Sequence, residues 1–331
     1  MMTQTHHDAA QAILEVRDAA VHFPLGGRRS LRAVDGVSFE VYPRETFGII
    51  GESGSGKSTL GRSLVCLQSL SSGQLLHEGV DPRQLGAREL REHRRSFQMV
   101  FQDPNASLNP RIPVGLSVRE PLDIASKGTR AEREERVFEL MQRVGLHHTL
   151  ATRYPHELSG GQKQRVNIAR ALTHMPRLIV CDEVVAALDV SIQADVLNLF
   201  AELQRDFGLT YVFISHDLGV VSHISDRIAV MYLGHFMELG PTEALTENPL
   251  HPYTQALLAA EPIPLPPSMR GPRTPPLAGE IPSPVNPPSG CRFRTRCPRA
   301  EARCASEVPE WRQLAPGHWV ACHFAGKGDA A

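Results

Sequence analysis

Net charge is nearly absent from this 331-residue sequence: Lys and Arg number 35, Asp and Glu 36, and the formal charge is −1. Without a basic excess there is no overall electrostatic case for nucleic acid or for an anionic membrane surface. Long hydrophobic runs are missing too, and none approaches the ~18 residues that cross a bilayer. The opening stretch, MMTQTHHDAAQ, has neither the basic nor the apolar region of a signal peptide. Together these absences predict a cytosolic protein unless a partner holds it at a membrane. Cysteine is sparse over most of the chain. Cys66 and Cys181 stand alone and read as inert core residues, whereas the other four of the six crowd the C-terminal end. The remaining composition, 41% hydrophobic and 21% charged, is that of an ordinary globular protein with room for one large domain or two modest ones.

The most informative stretch is Gly51 to Thr59, GESGSGKST. It fits G-x-x-x-x-G-K-[ST], with Gly51, Gly56, Lys57 and Ser58 at the fixed positions and Glu52, Ser53, Gly54 and Ser55 between them. The preceding Thr46–Ile50, TFGII, suits a buried strand, and Leu60 to Leu70 is helix-compatible. A loop between strand end and helix start can aim several backbone N–H groups at phosphate oxygens, with the helix N-terminus adding partial positive charge. Lys57 is then expected to reach the β- and γ-phosphates, and the Ser58 hydroxyl to ligate Mg²⁺.

Other stretches supply candidate chemistry. Leu178 to Cys181 (LIVC) reads as a second buried strand ending at Asp182 and Glu183. A carboxylate there can order Mg²⁺, and the next one can orient an attacking water as general base. Tyr211 to Ile214 reads as a third buried strand, followed by His216, which suits either a γ-phosphate contact or a structural role. LSGGQ, Leu158 to Gln162, precedes a helical Lys163 to Ala171 and has the glycines of a second anion cradle. Residues Ala12 to Phe23 resemble an edge strand, in which Phe23 is either an adenine-stacking plate or a core aromatic. Arg130 to Val144 predicts a helix with Val137, Leu140, Met141 and Val144 on one apolar face.

The order of these motifs carries more than any one of them. GESGSGKST, Gln102, LSGGQ, LIVCDE, Ala187-Leu188-Asp189 and His216 together resemble the nucleotide-binding subunit of ABC transporters, over roughly residues 12 to 258. The resemblance implies an α/β P-loop NTPase core of RecA-like type, with a helical subdomain inserted over about 90 to 165. It implies roles for single residues. Gly51 to Thr59 bind ATP, Gln102 senses the γ-phosphate and approaches Mg²⁺ with Ser58 and Asp182, and Glu183 is the catalytic base. His216 is the switch histidine, Phe23 the adenine plate and Asp189 the D-loop aspartate. Ser159, Gly160, Gly161 and Gln162 complete the ATP site of a second cassette. One phosphate loop and one LSGGQ per chain therefore imply a head-to-tail pair around two ATP, with a related ATPase subunit or with a second copy. Absent membrane spans imply two separate permease subunits, a location on the cytoplasmic face of the membrane, and indirectly a substrate-binding protein. A soluble ABC ATPase of DNA repair or translation is the alternative; such proteins usually carry two cassettes or a long coiled coil, and this sequence has neither.

FQDPNASLNPR, DEVVAALDVSIQADVLNL and ENPLHPYTQALL narrow the resemblance to the oligopeptide/dipeptide transporter ATPases, and most to the second of their two ATPase subunits. That implies peptide import, with glutathione-like or nickel-type cargo also open. Val184 and Ala186 depart from the Pro and Ser usual there. Between Glu261 and Gly290 eleven of thirty residues are proline, so residues 259–290 read as an extended linker. Beyond it, 291–324 hold Cys291, Cys297, Cys304 and Cys322, spaced C-x5-C-x6-C-x17-C. Cytosolic chains rarely keep disulfides, so these thiols suit a [4Fe–4S] cluster or zinc, or stay reduced and unligated. The lack of a C-x2-C knuckle counts against a zinc ribbon, and similar tails in this subfamily are associated with [4Fe–4S]. His318 and His323 are possible substitute ligands, and Arg292, Arg294, Arg296 and Arg299 could offset thiolate charge. So short a segment has too little core to fold without a staple, and the linker is expected to isolate it from the ATP site.

Overall fold

The structure, a computed structural model, describes residues 11–27, 29–126, 128–260 and 279–326. Residues 1–10 and most of the proline segment, 261–278, lie outside the described residues, so the reading of the N-terminus and that part of the linker reading are not addressed by it.

Strands β1 (Leu14–Pro24) and β2 (Ser30–Val41) lead into β3 (Thr46–Ile50), the phosphate-loop segment and α1 (Lys57–Leu64). Strand β4 (Ser72–His77), α2 (Ala87–His93) and β5 (Phe97–Val100) follow, then α3 (Val114–Ala125), α4 (Arg130–Arg143) and α5 (Gly160–Ala171). The chain continues through β6 (Leu178–Asp182), α6 (Val190–Phe207), β7 (Thr210–Ser215), α7 (Leu218–Ile224), β8 (Arg227–Tyr232) and β9 (His235–Pro241). Helices α8 (Thr242–Glu247), α9 (Pro252–Ala260) and α10 (Ala302–Ser306) precede the hairpin β10 (Arg312–Ala315) and β11 (His318–Val320).

The main sheet has eight strands in the order β10-β11-β9-β8-β3-β7-β6-β5, and β8 through β5 pair in parallel. Strands β3, β6 and β7 are buried at every residue, the continuous apolar pattern of a sheet covered on both faces. Alternate residues serve two cores. Phe47, Val180 and Ile214 pack toward α1 and the β1–β2 hairpin, whereas Ile50, Cys181 and Phe213 face the helices on the other side.

Two local expectations change. Strand β1 is the middle of a three-stranded antiparallel sheet, β2-β1-β4, so it is no edge. The stretch 90–165 opens with the end of α2 and with β5, which pairs with β6 in the main sheet. After β5 the helices resume at α3. Helix α4 starts on a capping box, with the Thr129 Oγ1 accepting from Glu132 N–H and Glu132 accepting from Thr129 N–H at 2.6 Å. Its stripe of Val137, Leu140, Met141 and Val144 is buried as the spacing predicts.

The C-terminal segment is not isolated. Trp319 and Val320 of β11 pair with Leu239 and Glu238 of β9, extending the main sheet. His318 Nε2 lies 2.7 Å from the fully buried Glu238 carboxylate, which also accepts from Leu250 and His251 N–H. Phe293 is fully buried against Tyr232 and Tyr253 of the core, and Arg292 pairs with Asp35 of β2. The segment thus borrows the hydrophobic core it was expected to lack. Arg292 and Arg296 neutralise carboxylates of the main domain instead of thiolates, and His318 is committed to Glu238. Phe293→Ala should cost about 3–5 kcal/mol, as for other buried Phe truncations. The check is a lowered urea midpoint together with faster proteolytic clipping of the tail.

Candidate functional site

The phosphate loop is shaped by what its glycines lack. Gly56 sits at φ +106, where a Cβ would lie 1.9 Å from the Ala33 carbonyl oxygen of β2. Gly51, at φ +154, would place one 2.1 Å from the Met231 carbonyl oxygen of β8. Both neighbours are backbone and cannot swing aside, so only glycine allows the loop to sit this deep between strands. Ser53 and Gly54 are exposed at its tip. Ser55 is buried, and its carbonyl accepts from Gly234 N–H at 2.9 Å. Ser58 and Thr59 open α1, half-buried.

Lys57 is 4% exposed. Its ammonium donates to the Gly51 carbonyl at 2.6 Å, the Glu52 carbonyl at 3.0 Å and the Ser55 hydroxyl at 3.4 Å. Burial pulls its pKa down, and the nearby Glu183, Asp182 and Glu52 carboxylates oppose that shift. The Ser58 hydroxyl donates to Asp182 at 2.8 Å, joining α1 to the end of β6. Burial raises the Asp182 pKa, partly offset by that hydrogen bond. A buried carboxylate beside a hydroxyl is an all-oxygen donor pair that suits Mg²⁺.

Glu183 follows, held between two partners. Gln102 Nε2 donates to its Oε2 at 2.6 Å, and His216 Nδ1 lies 3.4 Å from its Oε1. Its backbone takes φ +48, uncommon for a non-glycine residue, while its N–H donates to the Ile214 carbonyl at 2.9 Å. The fold thus gathers Lys57, Ser58, Asp182, Glu183, Gln102 and His216 at the C-terminal ends of β3, β5, β6 and β7.

Other predicted residues lie elsewhere. Ser159 caps α5, with its Oγ accepting from Gln162 N–H while Gln162 Oε1 accepts from Ser159 N–H at 2.9 Å. Ser159 and Gly160 are exposed, and Gly161 is packed so close to Ile192 that a Cβ would meet it at 2.8 Å. Helix α5 packs on α3, α4 and β5, whereas α1 packs on β6 and β7. Asp189 is exposed at the start of α6; Gln193 Nε2 donates to the Val185 and Leu188 carbonyls, each at 3.0 Å, and pins the turn before it. Val184 is buried and Ala186 exposed. Phe23 is half-buried against the core shared by the β1–β2 hairpin and α1.

Sequence reasoning missed the residues that hold the loop. Glu52 N–H donates to the Tyr253 hydroxyl at 2.9 Å, and Tyr253 N–H donates to His251 Nδ1 at 3.0 Å. This is what the HPY of ENPLHPYTQALL does, although the motif served above only as a mark of resemblance. Arg296 in turn grips the Glu52 carboxylate. Of the tail thiols, burial pushes Cys291 up to about 11, and its N–H donates to the Cys304 carbonyl at 2.8 Å. They are unpaired cysteines. Thiols are suitable donors for iron or zinc, but among the described residues no three His, Cys, Asp or Glu side chains are arranged to hold a metal ion. His323, the other suggested substitute, contacts the Glu307 carbonyl at 3.2 Å.

Gly56→Ala should leave the fold intact by circular dichroism yet weaken nucleotide binding at least ~10-fold, because the loop must back away from Ala33. Titration with a fluorescent ATP analogue measures this.

Comparison with known proteins places the chain among relatives. Residues 34–186 match the ABC transporter family, and 237–304 match the oligopeptide/dipeptide transporter C-terminal region. The chain is 53% identical to the oligopeptide transport ATP-binding protein AppF of Bacillus subtilis, over 95% of this chain and 98% of that one. It is 49% identical to a probable peptide ABC transporter ATP-binding protein of Sinorhizobium fredii, over 97% of this chain and 92% of the other. A dimeric ATP-binding cassette solved in a post-hydrolysis state with ADP and phosphate superposes with a TM-score of 0.63 at 29% identity, over 69% of this chain and 98% of its own. The chain belongs to the ATP-binding subunits of ABC transporters, in their oligopeptide/dipeptide branch.

Proposed function

We propose that this protein hydrolyses ATP to drive the import of peptides through an ABC transporter. The observation that carries the reading is Glu183, held between Gln102 and His216 beside the Ser58–Asp182 pair. Arriving phosphates would draw the Lys57 ammonium from the loop carbonyls it now bonds, while the loop N–H groups bind the remaining oxygens. Ser58 and Asp182, with Gln102, would hold Mg²⁺, which supplies neutralisation of the phosphate charge. Glu183 takes the proton of the attacking water, and Gln102 and His216 hold its carboxylate in position. Phe23 stacks on adenine.

The exposed Ser159-Gly160 end of α5 and the exposed Asp189 support a second cassette completing the site, as a related subunit or a second copy. Peptide cargo is supported by relatives at 53% and 49% identity that are an oligopeptide transport and a probable peptide transporter ATP-binding protein. No helix among the described residues is long and apolar enough to cross a membrane. In this reading two permease subunits hold the protein at the cytoplasmic face, and a substrate-binding protein delivers the peptide.

Glu183→Gln should leave ATP binding intact and cut turnover by about two orders of magnitude, as for loss of a general base. It should also trap an ATP-bound dimer visible by size-exclusion chromatography. Parental turnover in this variant would remove Glu183 from the role.

For the four tail cysteines we propose a [4Fe–4S] cluster, with zinc as the alternative, supported by four unpaired soft donors within one short C-terminal segment. Binding would require the thiols to draw closer together. Anaerobically purified protein should then be brown and carry about four irons per chain. One zinc in colourless protein would replace iron, and protein with neither metal would end the proposal.

A further inference from the structure

We propose that the C-terminal tail is a working part of the ATP site, and that Arg296 is a positioning residue for the phosphate loop. The inference rests on the ATP-binding reading above.

The contact is specific. Arg296 Nη1 donates to Glu52 Oε2 at 2.6 Å and Nη2 donates to Oε1 at 3.0 Å, a two-pronged fork onto the second residue of the loop. The Arg296 side chain is 5% exposed and that of Glu52 25%, so the pair is largely withdrawn from solvent. The guanidinium also lies over the Tyr232 ring, 5.9 Å from its centroid. Glu52 is held from three directions. Arg296 takes its carboxylate, Tyr253 its N–H, and Lys57 its carbonyl.

The two tail-side restraints form one unit. Phe293 lies three residues before Arg296, and its ring sits 5.4 Å from Tyr232 and 5.2 Å from Tyr253, centre to centre. Tyr232 and Tyr253 are themselves 4.8 Å apart. The aromatic cluster that seats the tail therefore also carries the hydroxyl that receives the loop's N–H.

Charge gives the arrangement its consequence. Glu52 is an anion inside a loop built to receive a triphosphate, and its charge contributes at Lys57. Unpaired, it would repel the ligand through a partly buried medium in which charges act strongly. Arg296 cancels it and fixes the carboxylate facing the tail. The expected phenotype is therefore electrostatic as well as geometric.

The test uses the full chain and a fluorescent ATP analogue with Mg²⁺. Arg296→Gln should bind the nucleotide about tenfold more weakly, the scale of one uncompensated charge near phosphates. Arg296→Lys, which keeps the charge and loses the fork, should fall between Arg296→Gln and the parent; it also serves where Arg296→Gln folds poorly. The deciding variant is Glu52→Gln with Arg296→Gln, which removes both charges. Recovery of most of the lost affinity in that double variant supports the proposal, because a merely structural defect in tail docking would not be relieved by neutralising Glu52. Affinity within twofold of the parent for Arg296→Gln, or a double variant as weak as the single, overturns it. A parent protein that binds no MgATP would instead sink the ATP-binding reading itself.

Discussion

The central constraint is electrostatic: a lysine, an aspartate and a glutamate meet at the ends of buried parallel strands. Lys57 is 4% exposed and Asp182 3%. Burial lowers the pKa of the first and raises that of the second, so each charge is disfavoured by its own setting. The structure answers with neighbours. Loop carbonyls accept from Lys57, Ser58 donates to Asp182, and Gln102 with His216 attends Glu183. These are weaker partners than a polyphosphate and a divalent cation. In the proposed reading, the site gains by exchanging these internal contacts for a charged ligand, since each buried charge then meets a stronger partner.

Such a site needs a rigid surround, and much of it comes from far along the chain. Met231 and Ala33 press their carbonyls against Gly51 and Gly56. Tyr253 holds Glu52 from the end of the ATPase core, and Glu238 anchors the HPY turn by accepting from Leu250 and His251. His318 then reaches that same carboxylate from β11. A buried carboxylate left without its partners is costly. The tail therefore completes the polar network beneath the HPY turn in addition to covering apolar surface.

Legibility from sequence followed the range of each interaction. Thr46–Ile50 was readable as a strand to the residue because a continuous apolar run bounded by a phosphate loop has few other solutions. The placement of Lys57, Ser58, Asp182 and Glu183 was readable because each position is set by the end of an apolar strand. Strand β1 was misread because its imperfect alternation is common to edge and central strands, and only the pairing of β4 on its far side distinguishes them. The tail was misread for a related reason. Its short hairpin lacks a core of its own, and nothing local announces that β9 supplies one. Arg296 lies 244 residues from Glu52, a separation at which a single sequence offers no pairing signal.

The turn after β6 shows how a departure from the family pattern fits its setting. A proline at 184 would press Glu183 toward extended backbone through its ring. Val184 removes that restriction, and Glu183 takes φ +48. The left-handed conformation costs of order 1–3 kcal/mol in a non-glycine residue and persists only where the surroundings over-determine it. Here they do. The Glu183 N–H is fixed to the Ile214 carbonyl, its carboxylate lies between Gln102 and His216, and Val184 and Val185 are buried immediately after it. Gln193 closes the far side of the turn through the Val185 and Leu188 carbonyls. The strained residue is thus the one that the proposed mechanism uses as general base, and Val184, standing where the family usually has proline, holds it there by burial together with Val185.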